Sequence, residues 1–173
     1  ALNIAIATVT DPTPENPQTD KRKWTGIAAS AGRMEIVGLP EEFVIRVEDL
    51  SVTSNTAKNG IAAGTPISWS TLIDDTDNPL HDVAGEKTLE VTGRLTLFLS
   101  DFVQLQGDFG LSKSSNVEVK LAGSTTKKTV NVLTLGLDNL DVFVGDGPYF
   151  VDSNNDDTID EQDTPSADAT GLL

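Results

Sequence analysis

The stretch LEVTGRLTLFLSDFVQLQGDFGL, residues 89–111, restricts the fold more than any other part of the chain. Leu89, Val91, Leu95, Leu97, Leu99, Val103, Leu105, Phe109 and Leu111 all fall on one parity, and only Asp101 and two glycines interrupt that row. A period of two sends successive side chains to opposite sides of an extended chain, so the run specifies β structure and not helix. One unbroken strand of this length would reach roughly 75 Å at about 3.3 Å per residue, far beyond an ordinary strand. Gly93, Ser100–Asp101 and Gly107 are therefore expected to mark bends or bulges. The other parity carries Glu90, Thr92, Arg94, Thr96, Gln104, Gln106 and Asp108, which predicts a side facing water. Phe98 and Phe102 break that polar row and are expected to pack on a neighbouring segment.

The pattern has two partial echoes, so that VIRVEDLSV (44–52), LTLFLSDFV (95–103) and LTLGLDNLDV (133–142) each alternate, pass a polar pair containing Asp or Asn, and resume on the other parity. Either this is a repeated bulge or corner, where a strand leaves one sheet face and continues on another, or it is coincidence in a β-rich chain. Further strands are expected at LNIAIATV, SAGRMEIVGL, ISWSTLI and NVEVKLA, separated by segments rich in Pro, Gly, Asp and Asn. The longest of these, DPTPENPQTDKRK, reads as an exposed loop, with Trp24 behind it as an anchor to the core. The fold class is all-β, an elongated arrangement of mainly antiparallel strands as either a sandwich or a solenoid-like wrap. The expected organisation is a single unit over residues 1–173, with a calcium-loop segment at 146–168. The chain opens within a strand pattern at Ala1-Leu2-Asn3-Ile4 and closes on Gly171-Leu172-Leu173, which reads as the start of a strand. The expectation is a link in a tandem array, or a terminal strand that completes a neighbouring copy.

The 27 acidic side chains outnumber the 12 basic ones, a net charge of -15 in 173 residues. Such a chain repels nucleic acid and anionic membrane surfaces, and favours cations as small partners. It has no cysteine, so its rigidity is expected from a core or from metal, and no apolar run approaches the ~18 residues of a membrane span.

The acidic residues are most ordered in VDSNNDDTIDEQD, 151–163. A calcium loop places carboxylate or amide oxygens at positions 1, 3 and 5, a backbone carbonyl at 7, often a water-bridged group at 9, and a carboxylate at 12. Asp152, Asn154, Asp156, Thr158, Asp160 and Asp163 occupy those positions in order, and Ile159 falls at position 8, where an apolar residue turns inward. Two positions depart from the pattern. Position 6, normally glycine because it needs positive φ, is Asp157, and position 12 is Asp163 instead of the longer glutamate. Both changes weaken or reshape binding without abolishing it. The bland alternative is a solvated acidic turn. Gly145-Asp146-Gly147-Pro148 is expected to turn the chain into the loop, with Tyr149 and Phe150 packed beneath.

The DxNxDxxIDxxD run resembles the calcium loops of dockerin modules and other EF-hand-like bacterial repeats, in which Asp at the last position is ordinary. The resemblance covers about a dozen of the 173 residues and excludes flanking helices, since Thr164-Pro165 follows at once. It implies a calcium loop and not a dockerin's function. More broadly, the succession from WTGIAASAGRMEIVGL to the C-terminal DATGLL resembles one repeat of very large bacterial surface or secreted proteins of the repeats-in-toxin and giant-adhesin kind. That resemblance implies a structural or adhesive role outside the cell or on its surface, with neighbouring copies as partners.

A second cluster, Asp74, Asp75, Asp77, Asn78 and Asp82, has the composition of a cation site without the spacing, and an exposed turn is the preferred reading. The only histidine, His81, lies within it. One loop histidine with no GxSxG-type elbow is poor material for a nucleophilic triad, and 5% aromatics offer few platforms for a glycosidase cleft. A non-catalytic role is therefore expected. The remaining contrast is between a calcium-stiffened structural module and a calcium-dependent carbohydrate-binding module. In the second, Trp24, Trp69 or Tyr149 would stack on a surface glycan.

Overall fold

The computed structural model describes residues 1–173 except 17, 41, 61, 101, 157, 158, 160 and 161. The strands are β1 (Leu2–Thr10), β2 (Arg22–Glu35), β3 (Phe43–Asn59), β4 (Ala62–Ala63), β5 (Lys87–Leu99), β6 (Val103–Lys120), β7 (Lys127–Asp146) and β8 (Thr170–Leu172). Among the described residues the only helical element is the single 3₁₀ turn Trp69–Thr71, and no helix is long and apolar enough to cross a membrane. All pairings are antiparallel and form one open sheet in the order β1-β2-β3-β5-β6-β7-β8, with β4 beside β3. The all-β, antiparallel class read from the alternation is the observed one. The C-terminal Gly171-Leu172 is a strand as its pattern predicts, and it pairs with Val144–Asp146 of its own chain.

The 89–111 run is a hairpin, in which Leu99 pairs with Val103 and Ser100, with φ 58°, lies in the turn; the Asp101 half of the expected bend is outside the described residues. The other two echoes are bulges. Asp49 and Asn139 both have φ 47°, and the register shifts there, between Glu48 and Ser51 against β5 and between Gln106 and Asp108 against β7. Asp and Asn tolerate the left-handed conformation better than other residues with a side chain, so they mark where an extra residue is inserted. The expected corner does not occur, because every strand continues in the same sheet after its bulge. Gly93 and Gly107 receive these irregularities. A Cβ on Gly107 would stand 3.0 Å from Leu140 Cα, and one on Gly93 3.1 Å from the Glu48 carbonyl oxygen.

ISWSTLI is not a strand. Residues 67–73 leave the sheet and make the 3₁₀ turn, because Trp69 is fully buried with its ring lying flat against Gly26, where an added Cβ would come within 2.5 Å of it. Burying a large ring against a residue with no side chain outweighs local alternation here.

The two sheet faces are covered in the opposite sense to the one the alternation suggests. Cross-strand rows on one face run Ala5–Ala28–Thr53–Glu90, Arg46–Thr96–Gln106–Asp141 and Val44–Phe98–Gln104–Phe143. This polar face is the buried one, since Thr96, Gln104, Gln106, Glu48 and Asn55 are all buried. Two irregular segments, residues 64–86 and 147–169, lie over it and form the two small cores, around Trp69, Leu80 and Val83 and around Phe143, Phe150 and Ile159. Phe98 joins the second core as expected, whereas Phe102 is exposed. The apolar face, with the row Ile4–Ala29–Val52–Val91–Leu111–Leu135, carries no layer of this chain; Ile4 and Leu135 at the ends of the row are largely exposed and the four residues between them half-buried. Period two separates two faces but does not say which one is covered; that is decided where backbone carbonyls of Ile67 and Ala84 meet the Asn55 amide and backbone N–H groups of Tyr149 and Phe150 meet Gln104.

Candidate metal centre

The acidic loop sits on a built seat. Gln104, on β6 and 1% exposed, accepts the backbone N–H groups of Tyr149 (2.8 Å) and Phe150 (2.9 Å) with one side-chain oxygen. Tyr149 stacks on Phe143 with centroids 4.9 Å apart and meets Phe150 edge to face. Phe143 covers the paired Gly145 and Gly171, where a Cβ on either would enter the ring at 2.5–2.7 Å. Tyr149 and Phe150 therefore pack beneath the loop as expected, and the turn into it begins at Gly147, φ 87°. Ile159, the position-8 residue, is buried in this core, and Arg94 of β5 donates from Nε to its carbonyl at 3.3 Å.

Within the loop, the described oxygen-bearing residues converge. The Asp156 N–H donates to Asp152 Oδ1 at 3.1 Å and to Asn154 Oδ1 at 3.0 Å, which brings positions 1, 3 and 5 around one amide. Asn154 Nδ2 donates to Asp156 Oδ2 at 3.0 Å. Asp163 reaches back across ten residues, and its Oδ1 accepts Ser153 N (2.8 Å), Ser153 Oγ (3.2 Å) and Asn154 N (3.3 Å). Ser153 Oγ in turn accepts Thr164 N at 2.7 Å, closing the ring. Asn155 takes the left-handed conformation, φ 62°. Of the expected ligands, Asp152, Asn154, Asp156 and Asp163 are thus joined in one network, while Thr158 and Asp160, with Asp157 at position 6, lie outside the described residues. Among the described residues no three carboxylate or imidazole groups stand together as a ready cage. The carboxylates engage the loop's own amides instead. All the converging donors are hard oxygens, the donor type that suits calcium, which takes six to eight of them.

The second acidic cluster is a series of local turns. Asp75 Oδ1 accepts Asp77 N at 3.0 Å, Asn78 Oδ1 accepts Leu80 N at 3.0 Å, and Asp82 pairs with the adjacent His81 at 2.8 Å. Asp74 is exposed. The Asp75 and Asp82 carboxylates thus bond to residues one or two positions away and not to one another.

Several residues that build the site carry no signal in the loop motif: Gln104, Arg94, Phe143, Gly145, Gly171 and Ser153. Beside Arg94 on the buried face, Glu48 has no hydrogen-bond partner for either carboxylate oxygen. Burial raises its pKa above the ordinary carboxylate value, against the lowering pull of Arg46, Arg33 and Arg94. Comparison of the chain with protein-family models, with curated proteins and with solved structures found no match.

Proposed function

We propose that this chain is a structural, non-catalytic module of an extracellular filament, surface-layer or adhesin-type repeat protein of bacteria, stiffened by calcium and joined end to end with neighbouring copies. The observation that carries this reading is the closed network of Asp152, Asn154, Asp156 and Asp163, held over a core into which the same loop sends Ile159. A cation bound there replaces weak amide contacts with ion–carboxylate contacts and ties the loop to the sheet through Ile159 and Gln104. The ion has a mechanical role and takes part in no reaction. The resemblance of the loop to dockerin-type calcium loops, and of the chain to giant surface repeats, points the same way.

The aromatic side chains favour this reading over a carbohydrate-binding module. Trp69 is fully buried, Trp24 packs against the same core with its indole N–H on the Thr65 carbonyl, and Tyr149 is stacked on Phe143. All three rings named as sugar platforms serve internal packing.

Calorimetric unfolding with calcium and with chelator tests the proposal. Binding only to the folded chain stabilises it by RT ln(1 + [Ca]/Kd), about 2.7 kcal/mol at a free concentration of 100 Kd. Identical melting curves in the two conditions remove calcium from the account, and a specific hit on a glycan array restores the carbohydrate-binding reading.

A further inference from the structure

The face opposite the two covering segments is an uncommon surface for a single chain. Directly paired rows cross it: Ile4–Ala29–Val52–Val91–Leu111–Leu135 in the middle, Ile6–Ile27–Ser54–Leu89–Lys113–Leu133 beside it, and Phe43–Leu99–Val103–Val144 at the far end. Leu2, Ile6, Leu133 and Leu135 are each exposed by 65% or more. Single exposed apolar residues are unremarkable, but a contiguous apolar face of this size marks an interaction site. Charge reaches this face only near one end, for example at Lys113 between Leu89 and Leu133.

Its size suits a second sheet. Six strands span five spacings of about 4.8 Å, and nine paired residues at about 3.3 Å give the other dimension, so the flat area is about 700 Å², near the ~800 Å² per partner of a standard stable interface. The charge distribution supplies the orientation. All eight lysines lie toward the end where β2, β5 and β7 begin and β3 and β6 finish, among them Lys23, Lys58, Lys87, Lys120 and Lys127. The opposite end holds Glu42, Asp141, Asp146 and the acidic loop, besides Glu35 paired with Arg33 and Arg46; the lysine end has carboxylates of its own, Glu90 on Lys87 and Glu118 on Lys127, and is the less acidic of the two. Two copies laid face to face with their ends reversed place lysines over carboxylates, whereas the parallel arrangement stacks the two acidic ends.

We propose that two copies of this chain pack through their open apolar faces, ends reversed, into a two-sheet sandwich with the segments 64–86 and 147–169 on its outer sides. The dyad lies between the sheets, so the same patch serves both partners and the assembly closes at two. The apolar contact itself contains none of the proposed calcium ligands, so the pairing stands or falls separately from the calcium reading.

Sedimentation of the chain tests it. The expected result is a particle of twice the 18.4 kDa chain mass that does not grow further with concentration. Ile4→Lys and Leu135→Lys, both at exposed positions of the isolated chain, are expected to raise the dimer dissociation constant at least a hundredfold and leave the circular dichroism unchanged. Carbodiimide coupling, which joins an amine directly to a carboxylate, is expected to link Lys120 or Lys127 of one copy to Glu42 or Asp146 of the other. A monomer at every concentration overturns the proposal, as does a dimer indifferent to both lysine variants. Open-ended growth, or cross-links confined to residues at the same end, overturns it too. If a lysine variant loses its fold, coupling in the unaltered chain still decides the orientation.

Discussion

The segments 64–86 and 147–169 solve the same problem with the same parts. Each covers part of the polar sheet face, each is clamped by one buried amide side chain, and each uses an aromatic ring laid on glycine. In the first, Asn55 donates to the carbonyls of Ile67 (2.8 Å) and Ala84 (2.9 Å) and accepts the Trp69 indole N–H (3.1 Å), while Trp69 lies on Gly26. In the second, Gln104 accepts two backbone N–H groups and Phe143 lies on Gly145 and Gly171. The difference is in the acids. In the first cover the Asp75 and Asp82 carboxylates bond only to residues one or two positions away, while Asp163 of the second reaches back ten residues to the turn that Asp152 and Asp156 share. It is this convergence that the proposed calcium site rests on, and the first cover has no counterpart of it among its described residues.

The largest test of this contrast is Asn55→Leu. It leaves the Trp69 indole N–H and the Ile67 and Ala84 carbonyls without their partner, and at about 1–3 kcal/mol for each buried unsatisfied group the loss should exceed about 3 kcal/mol in urea unfolding. A loss below about 1 kcal/mol would mean that the amide is not the clamp. Ile159→Ala should cost about 3 kcal/mol as a large-to-small change in a core, and it should also weaken the calcium response, because the loop loses its anchor. Unchanged calcium affinity in this variant would uncouple loop and seat.

Gln104→Leu should cost about 2 kcal/mol through the two orphaned N–H groups, and amide hydrogen exchange should speed up in 147–169 but not in 64–86. Asp152→Asn keeps an oxygen for the Asp156 N–H but removes a charge. Its calcium-free melting curve should match that of the unaltered chain, and its calcium-induced rise in Tm should disappear; a full rise in this variant would exclude Asp152 as a ligand.

The smallest effect is expected from Glu48, on the face both covers share. Its folded-state pKa is raised, mainly by burial, so it contributes stability below the ordinary carboxylate pKa and loses it as pH rises through the folded value. Glu48→Gln should therefore be slightly more stable than the unaltered chain at neutral pH, with the advantage vanishing in acid. An equal advantage at every pH would point to packing and not to ionisation.

Much of the strand map was legible because it depends on local rules. Alternation located β1, β3, β5, β6 and β7, and the polar pairs holding Asp49 and Asn139 marked positions where only a few residues tolerate positive φ. Ile159 was legible as an inward-turning residue because calcium loops have a fixed internal spacing. ISWSTLI was not legible, because a strand-like pattern lost to a contact between Trp69 and Gly26 made across 43 residues of chain. Gln104 was misjudged for a related reason. A polar side chain on a strand reads as solvated until a distant segment brings it two N–H groups.

The sequence by itself determined the all-β class, the points where the alternation changes parity and the spacing of the acidic loop, since each follows from neighbours within a few residues. Only the tertiary structure decided which face of the sheet is buried. A two-residue period labels both faces equally, and burial depends on where Asn55, Gln104 and their partners from remote segments meet.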